Sequence, residues 1–193
     1  MRRFVCPPDY AFEQLSYNHN RPSFQCEKAP LVKFLREQAR QDQDKGMSKT
    51  HVLTLATHPE PTNKPIIGYF TLANASIPLY DLPHNARMSK HQEIPATLIA
   101  RLARHQNYRK RGIGDILIHY AIDLCLQAPC AVILVDAKDE EAFKFYSRHK
   151  FQLLDQNKKA RTRIQRVLGM FGLRRAIGYP ARMFRTTASV RTE

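Results

Sequence analysis

The stretch Gln106-Asn107-Tyr108-Arg109-Lys110-Arg111-Gly112-Ile113-Gly114 decides the fold, because it joins an apolar segment to an amphipathic one. Two glycines beside three consecutive basic residues are typical of a turn that opens a helix and whose backbone amides bind an anion. The stretch is neither a nucleotide-hydrolase P-loop nor a complete dinucleotide-binding fingerprint. It predicts a site for a ligand with several phosphate charges, and the alternative is a turn whose charges are merely solvated.

The segments around this turn predict alternating strands and helices. Ala96 to Ala103 is apolar, and the glycine turn after it favours a strand. Residues 114–127 carry one apolar stripe at helical spacing, which predicts an amphipathic helix. Ala131 to Val135 is a continuous apolar run, typical of a strand at a sheet centre. A helix at about 140–149 and a strand at 151–154 follow.

The N-terminal half predicts further strands and one helix. Phe12 to Tyr17 is a short strand candidate, and a helix begins near Pro30 and ends near Asp44. Residues 50–56 and 66–73 are rich in strand formers and predict an antiparallel hairpin. Pro78 to Pro95 is predicted to be a loop with at most a short helix. The order of elements predicts an α+β fold, a sheet with helices packed on it.

Length and charge limit the class of protein. The chain of 193 residues is long enough for one domain with a full core, and 1–193 is predicted to be that domain. A formal net charge of +14 favours polyanionic partners. No apolar run of about 18 residues predicts a membrane span, and the N-terminus lacks the pattern of a signal peptide. These observations predict a cytoplasmic protein without a membrane partner.

The four cysteines form no CxxC pair, and no Cys or His cluster has the spacing of zinc ligands. We therefore predict no metal site. In a reducing compartment the cysteines are expected to be free thiols or small core residues, and Cys125, on the apolar helix stripe, is expected in the core.

Several motifs together resemble a known enzyme superfamily. Arg109-x-x-Gly112-x-Gly114, between a strand and a helix, resembles the acyl-coenzyme A loop of the GNAT superfamily of N-acetyltransferases. Residues 136–146 with Phe151 resemble its second cofactor motif. Four other segments resemble the narrower branch of acetyltransferase toxins from bacterial toxin–antitoxin pairs: Phe24-Gln25-Cys26-Glu27, Phe34-Leu35-Arg36-Glu37-Gln38-Ala39, Gly68-Tyr69-Phe70-Thr71-Leu72 and Ile99-Ala100-Arg101-Leu102-Ala103.

The resemblance implies a GNAT fold, with a central mixed, mostly antiparallel sheet flanked by helices. It implies acetyl transfer from the cosubstrate acetyl-CoA to the α-amino group of an aminoacyl-tRNA, which blocks translation. The implied partner is a small DNA-binding antitoxin of the ribbon-helix-helix type, and a homodimer is left open. Two rivals stand beside this hypothesis: acetylation of a protein or small-molecule amine, and a non-catalytic module that binds RNA or a partner.

The resemblance also assigns residues. Tyr146 matches the catalytic tyrosine, a general acid for the leaving thiolate, although an aromatic residue there also suits packing of its helix on the sheet. An α-amino group has a pKa of about 7.7 to 8.0, so a strong base is not required. The implied cofactor contacts are the strand end and the turn after it: Leu102, Ala103, Arg104, Arg109, Lys110, Arg111, Gly112, Ile113 and Gly114.

About 25 residues between Asp155 and Tyr179 depart from the toxin branch, because a short connection is expected there before the last strand. That strand is predicted at Ala181 to Val190. Within the insertion, at about 155–179, apolar residues recur at helical spacing between basic ones. Three interpretations stay open: a helix docked on its own domain, an RNA backbone clamp, or a helix that binds a membrane surface or a partner. The RNA interpretation assigns the contacts to Arg161, Arg163, Arg166, Arg174 and Arg175.

Overall fold

The structure is a computed structural model, which describes residues 4–58, 60–83, 86, 91–154 and 181–191. The strands within these ranges are β1 (Tyr10–Gln14), β2 (His19–Asn20), β3 (Lys49–Leu55), β4 (Lys64–Pro65), β5 (Gly68–Pro78), β6 (Glu93–Arg104), β7 (Val132–Ala137), β8 (Gln152–Leu153) and β9 (Ala181–Thr186). The α-helices are α1 (Ala29–Lys33), α2 (Ala39–Asp44), α3 (Ile113–Gln127), α4 (Glu140–Arg148) and α5 (Thr187–Arg191).

Seven of the described strands form one sheet in the order β1-β3-β5-β6-β7-β9-β8. Every neighbouring pair is antiparallel except β6 and β7, which are parallel. The predicted mixed, mostly antiparallel sheet is therefore confirmed. The predicted hairpin is confirmed as β3 and β5, whereas the predicted loop at 78–95 is shorter than expected, since β5 and β6 pair as far as Pro78 and Glu93.

The parallel strands β6 and β7 stop pairing before either strand ends. Their pairing runs from Ala96 to Ile99 on β6 and stops at Val135 on β7, but β6 continues to Arg104. Ala100 is the extra residue of a bulge, because Ile99 and Arg101 pair with consecutive residues of β5. A cleft therefore opens between β6 and β7 on the carboxyl side of both strands.

The two faces of the sheet carry separate packing clusters. On one face, α3 buries the stripe predicted from sequence, which includes Leu117 and Ala121, against β3, β5 and β7. Cys125 lies in this core, as predicted, with 1% of its surface exposed. The other face packs α1, α2 and the short helical segment between them against β3 and β5, in a cluster that includes Tyr69. The cleft lies between these two layers.

Three elements differ from the prediction. The first strand, β1, spans Tyr10–Gln14 and not Phe12 to Tyr17. The helix predicted from Pro30 to Asp44 contains a π-helical segment, Phe34–Gln38, between α1 and α2. The last strand ends at Thr186 instead of reaching Val190, and α5 follows. The Thr186 hydroxyl accepts a hydrogen bond from the Ser189 amide (3.2 Å), so this threonine begins the helix as a cap although its β-branched side chain also favours strands.

Some predictions lie outside the described residues. The insertion at about 155–179 does so, with the five arginines assigned there to RNA: Arg161, Arg163, Arg166, Arg174 and Arg175. In the described part of the chain, no helix has the length and hydropathy to cross a bilayer. The four cysteines are free thiols.

Candidate active site

The basic turn enters α3 through two residues in the left-handed region, Lys110 (φ 60°) and Gly112 (φ 69°). Glycine adopts this conformation without the steric cost that a side chain brings. Gly112 precedes α3, and no side chain caps the amides of its first turn. These amides, which include those of Ile113 and Gly114, have no partner within the helix, so the helix start has the geometry of an anion site.

The basic side chains of the turn differ in the side chains that they already contact. Glu27 accepts from Arg109 (Nη1 to Oε1, 3.1 Å) and lies 3.6 Å from Arg104. Arg111 lies over the ring of Tyr108, at 5.3 Å from the ring centroid. Sequence reasoning missed Glu27 as a partner of the turn, since nearly 80 residues separate it from Arg104 and no local pattern signals the contact.

The three predicted cofactor residues of the strand, Leu102, Ala103 and Arg104, form the end of β6. One edge of this segment pairs with β5, and the other faces the cleft because β7 has already separated. Backbone groups on an open strand edge can hydrogen-bond an extended ligand as a neighbouring strand would. The strand edge and the amides of α3 therefore fit the pantetheine arm and the diphosphate of coenzyme A.

Tyr146 lies on α4 with 8% of its surface exposed. Its ring packs against Phe145 and Phe151, with centroids 5.3 and 5.7 Å away. Burial, followed by the nearby charges of Asp136 and Asp139, raises the pKa of the Tyr146 phenol to about 12. The phenol is therefore protonated at neutral pH, as a general acid requires. The packing role and the acid role suggested by the sequence are compatible in one side chain.

Two contacts hold α4 against the start of α3. Gly114 lies so close to Phe145 that a Cβ atom at this glycine would be 3.2 Å from the ring carbon Cε2. His149, at the end of α4, lies 2.9 Å from Asp115 (Nε2 to Oδ1). The position of Tyr146 is thus coupled to the helix start that presents the free amides.

The beginning of α4 is held by Asp139, which accepts a hydrogen bond from the Ala142 amide (2.9 Å) and forms an ion pair with Lys28. The acidic residues at 139–141 therefore lie at the N-terminus of α4, where negative charge stabilises the helix dipole. Because Lys28 follows Glu27, the segment before α1 contacts both the basic turn and α4. This segment before α1 thus connects the two sides of the cleft.

A second charged pair lies at the end of β7, where Asp136 binds Arg182 of β9 through two hydrogen bonds (2.8 and 3.0 Å). The hydrogen bond from Arg182 is the main reason why the pKa of Asp136 lies below its usual range, so the carboxylate is ionised. Sequence reasoning used Asp136 only as part of a motif. A charged residue that interrupts a buried apolar strand is the signal that could have singled it out.

In this sheet the central parallel strands β6 and β7 separate beside a helix start with free amides. This is the arrangement of the GNAT N-acetyltransferases. The model of the acetyltransferase (GNAT) family matches residues 61–151, which include the basic turn and Tyr146. Residues 61–151 carry the GNAT acetyltransferase domain that the motifs predicted. Its class is that of the acetyl-CoA-dependent N-acetyltransferases, and the residues described above fit that cosubstrate.

Named relatives are similar over most of the chain. A protein of Mycobacterium tuberculosis (strain ATCC 25618 / H37Rv) called tRNA-acetylating toxin is 29% identical over 135 residues, which cover 68% of this chain and 77% of that protein. A protein of Sinorhizobium fredii (strain NBRC 101917 / NGR234) called probable toxin TacT is 27% identical, over 70% of this chain and 80% of its own length. Both similarities extend beyond the matched family segment.

Solved structures share the fold. AtaT in complex with acetyl-methionyl-tRNAfMet has a TM-score of 0.75 at 20% identity, covering 95% of this chain and 98% of that one. AtaTR bound with acetyl-CoA has a TM-score of 0.67 at 19% identity, covering 95% and 97%. At these identities the likeness establishes the GNAT fold.

Proposed function

We propose that the protein is a toxin that acetylates the α-amino group of an aminoacyl-tRNA and so blocks translation. The observation that carries the proposal is the position of Tyr146, a buried and protonated phenol on a helix fastened to the anion-binding start of α3. Support for the substrate comes from the relatives called tRNA-acetylating toxin and probable toxin TacT. The net charge of +14 suits a polyanionic substrate.

The residues divide the chemistry between them. Acetyl-CoA supplies an acetyl group activated as a thioester. The amides at the start of α3, with the side chains of Arg109, Lys110 and Arg111, hold its phosphates. As the bond from the amine nitrogen to the acetyl carbon forms and the carbon–sulfur bond breaks, Tyr146 donates its proton to the departing thiolate. The nitrogen releases its proton to solvent, and a useful fraction of an amine with a pKa of about 7.7 to 8.0 is neutral beforehand.

The RNA contacts in this proposal include the arginines of the insertion: Arg161, Arg163, Arg166, Arg174 and Arg175. Each phosphate that they neutralise steepens the dependence of binding on salt. Affinity for charged tRNA should therefore fall strongly between about 50 and 200 mM salt. Affinity that barely changes over this range would remove the clamp from the proposal.

The proposal extends to the cell. A toxin of this kind acts in the cytoplasm, where charged tRNA is found, and is neutralised by an antitoxin. Two solved structures that share the fold contain such assemblies, AtaT bound to the C-terminus of the antitoxin AtaR and the KacTA–DNA complex. We propose a small DNA-binding antitoxin of the ribbon-helix-helix type for this chain.

The test is incubation of the protein with labelled acetyl-CoA and a pool of charged tRNA. The wild type should label the aminoacyl group, and Tyr146→Phe should lose at least about 100-fold in rate, the usual contribution of a positioned general acid. Tyr17→Phe is the matched control, because it removes a phenol hydroxyl from a residue that is 79% exposed. Thermal unfolding checks that Tyr146→Phe, which keeps the aromatic ring, folds normally.

Other outcomes would decide for a rival. Equal labelling by wild type and Tyr146→Phe removes Tyr146 from the mechanism. Labelling of protein or small amines without RNA supports the second hypothesis. RNA binding without any acetyl transfer supports a non-catalytic module.

A further inference from the structure

The cleft between β6 and β7 connects the two faces of the sheet. Ile133, Val135 and Ala137 of β7 face the layer of α3 and α4, so the alternation along the strand places Asp136 on the opposite face. Asp136 nevertheless raises the pKa of Tyr146, which lies in the α3–α4 layer. The charge of Asp136 thus acts on the Tyr146 phenol although the two residues lie on opposite faces of the sheet.

Arg101 lies on the same face as Asp136. It is the first residue after the bulge at Ala100, and it shares a face with Ala103, which packs against the layer of α1 and α2. Its guanidinium lies 5.0 Å from the ring centroid of Phe34. Ile99 pairs with Val135 of β7, so Arg101 and Asp136 follow the last paired position of the two adjacent strands and lie on the same face. The charge of Arg101 also contributes to lowering the pKa of Asp136.

Most donors of Arg101 are uncommitted. The guanidinium donates one hydrogen bond to the Ala100 carbonyl (Nη1 to O, 2.8 Å). Within the ranges that the structure describes, no carboxylate lies at ion-pair distance from it. A guanidinium has five N–H donors, and a half-buried one is costly unless acceptors satisfy it. The cleft is therefore able to bind a further acceptor group here.

The Asp136 carboxylate can also accept further hydrogen bonds. Arg182 occupies one lone pair on each carboxylate oxygen, whereas each oxygen has two. The carboxylate side chain is 23% exposed, so a small group can reach it. Asp136, Arg101 and Arg182 together carry one net positive charge. This charge disfavours an ammonium ion and favours a neutral amine that donates N–H to the Asp136 carboxylate.

We propose that Asp136 and Arg101 form the acceptor subsite, with Asp136 accepting the N–H of the amine and Arg101 donating to the carbonyl oxygen beside it. An α-amino acid ester or amide presents these two groups a few bonds apart, whereas the side-chain amine of lysine has no carbonyl near it. The subsite thus selects α-amino carbonyl compounds over lysine side chains. This inference rests on the proposed N-acetyl transfer and specifies its acceptor.

The test compares acceptors and variants in steady-state kinetics. The acceptors are charged tRNA, methionine amide as an α-amino carbonyl compound, and α-N-acetyl-lysine amide as a side-chain amine. In Arg101→Gln and Asp136→Asn, the KM for the first two should rise about tenfold or more, as expected for one hydrogen bond to a charged group. The KM for acetyl-CoA should stay within about twofold, and Arg101→Lys, which keeps the charge, should recover part of the loss.

A structural role would give a different pattern. If Asp136 only held Arg182, then Arg182→Met would raise the acceptor KM as much as Asp136→Asn does, and this outcome overturns the assignment. Parallel rises in the KM for both substrates overturn it as well. Wild-type enzyme that uses α-N-acetyl-lysine amide as readily as methionine amide excludes the subsite. Turnover of methionine amide but not of charged tRNA leaves the subsite intact and refutes the tRNA substrate.

Discussion

Replacing Glu27 with glutamine should tighten the binding of acetyl-CoA. The Glu27 carboxylate competes with the phosphates of the cosubstrate for Arg109, at 3.1 Å. The two side chains are 63% (Arg109) and 42% (Glu27) exposed, so their ion pair contributes only about 0.2 to 1 kcal/mol. Since 1.4 kcal/mol corresponds to a factor of ten, Kd should fall by about 1.5- to 5-fold. The longer contact of Glu27 with Arg104, at 3.6 Å, adds little.

Calorimetric titration with acetyl-CoA at about 50 and 500 mM salt measures this effect, and screening should reduce the gain at the higher salt. Asp44→Asn is the control, because it removes the same charge from an ion pair with Arg40 on α2. Weaker binding by Glu27→Gln would refute the idea of competition. An equal gain in both variants would show that only the net charge matters.

Two further predictions concern α4 and β7. Gly114→Ala places a methyl group 3.2 Å from the Phe145 ring, so α4 should shift by a few tenths of an ångström and move Tyr146. The expected result is a fall in kcat with little change in the KM for acetyl-CoA, because a displacement of 1 Å can cost about 100-fold in rate. An unchanged kcat would show that the Phe145 ring moves aside for the methyl group. The depressed pKa of Asp136 contributes stability above its unfolded value of about 3.9, and this is lost as the pH falls through the folded value. Asp136→Asn should therefore flatten the loss of unfolding free energy below about pH 4 in denaturant titrations, and a slope equal to that of the wild type would contradict the Arg182 pairing.

Local patterns predicted the elements that depend on local forces. The apolar stripe of α3 and the strand-forming runs of β3 and β5 were read correctly, because helix and strand periodicity depends on residues a few positions apart. The end of β9 was misread at Thr186, where a β-branched residue serves as a helix cap. The GNAT fold was predicted from the joint order of the motifs.

The candidate site was predicted only in part. The sequence singled out the basic turn and Tyr146 because each lies within a motif, and their roles stay predictions. The role of Glu27 was not predicted, nor was the grouping of Arg101 and Asp136, because sheet pairing and chain crossings bring these residues together over long separations. A carboxylate near an arginine in sequence can be recognised as a pair, whereas one that is distant in sequence is recognised only when the register of the strands is known.

The sequence alone indicated the class of the protein, through the resemblance that several motifs in a fixed order bear to one superfamily. Within them, glycines and basic residues between a strand and a helix favour phosphate binding through backbone geometry that the local chain dictates. The tertiary structure decided where β6 leaves β7, which face Asp136 occupies and how deeply Tyr146 is buried. These properties follow from the packing of distant segments, since burial and electrostatic fields depend on every neighbour in space.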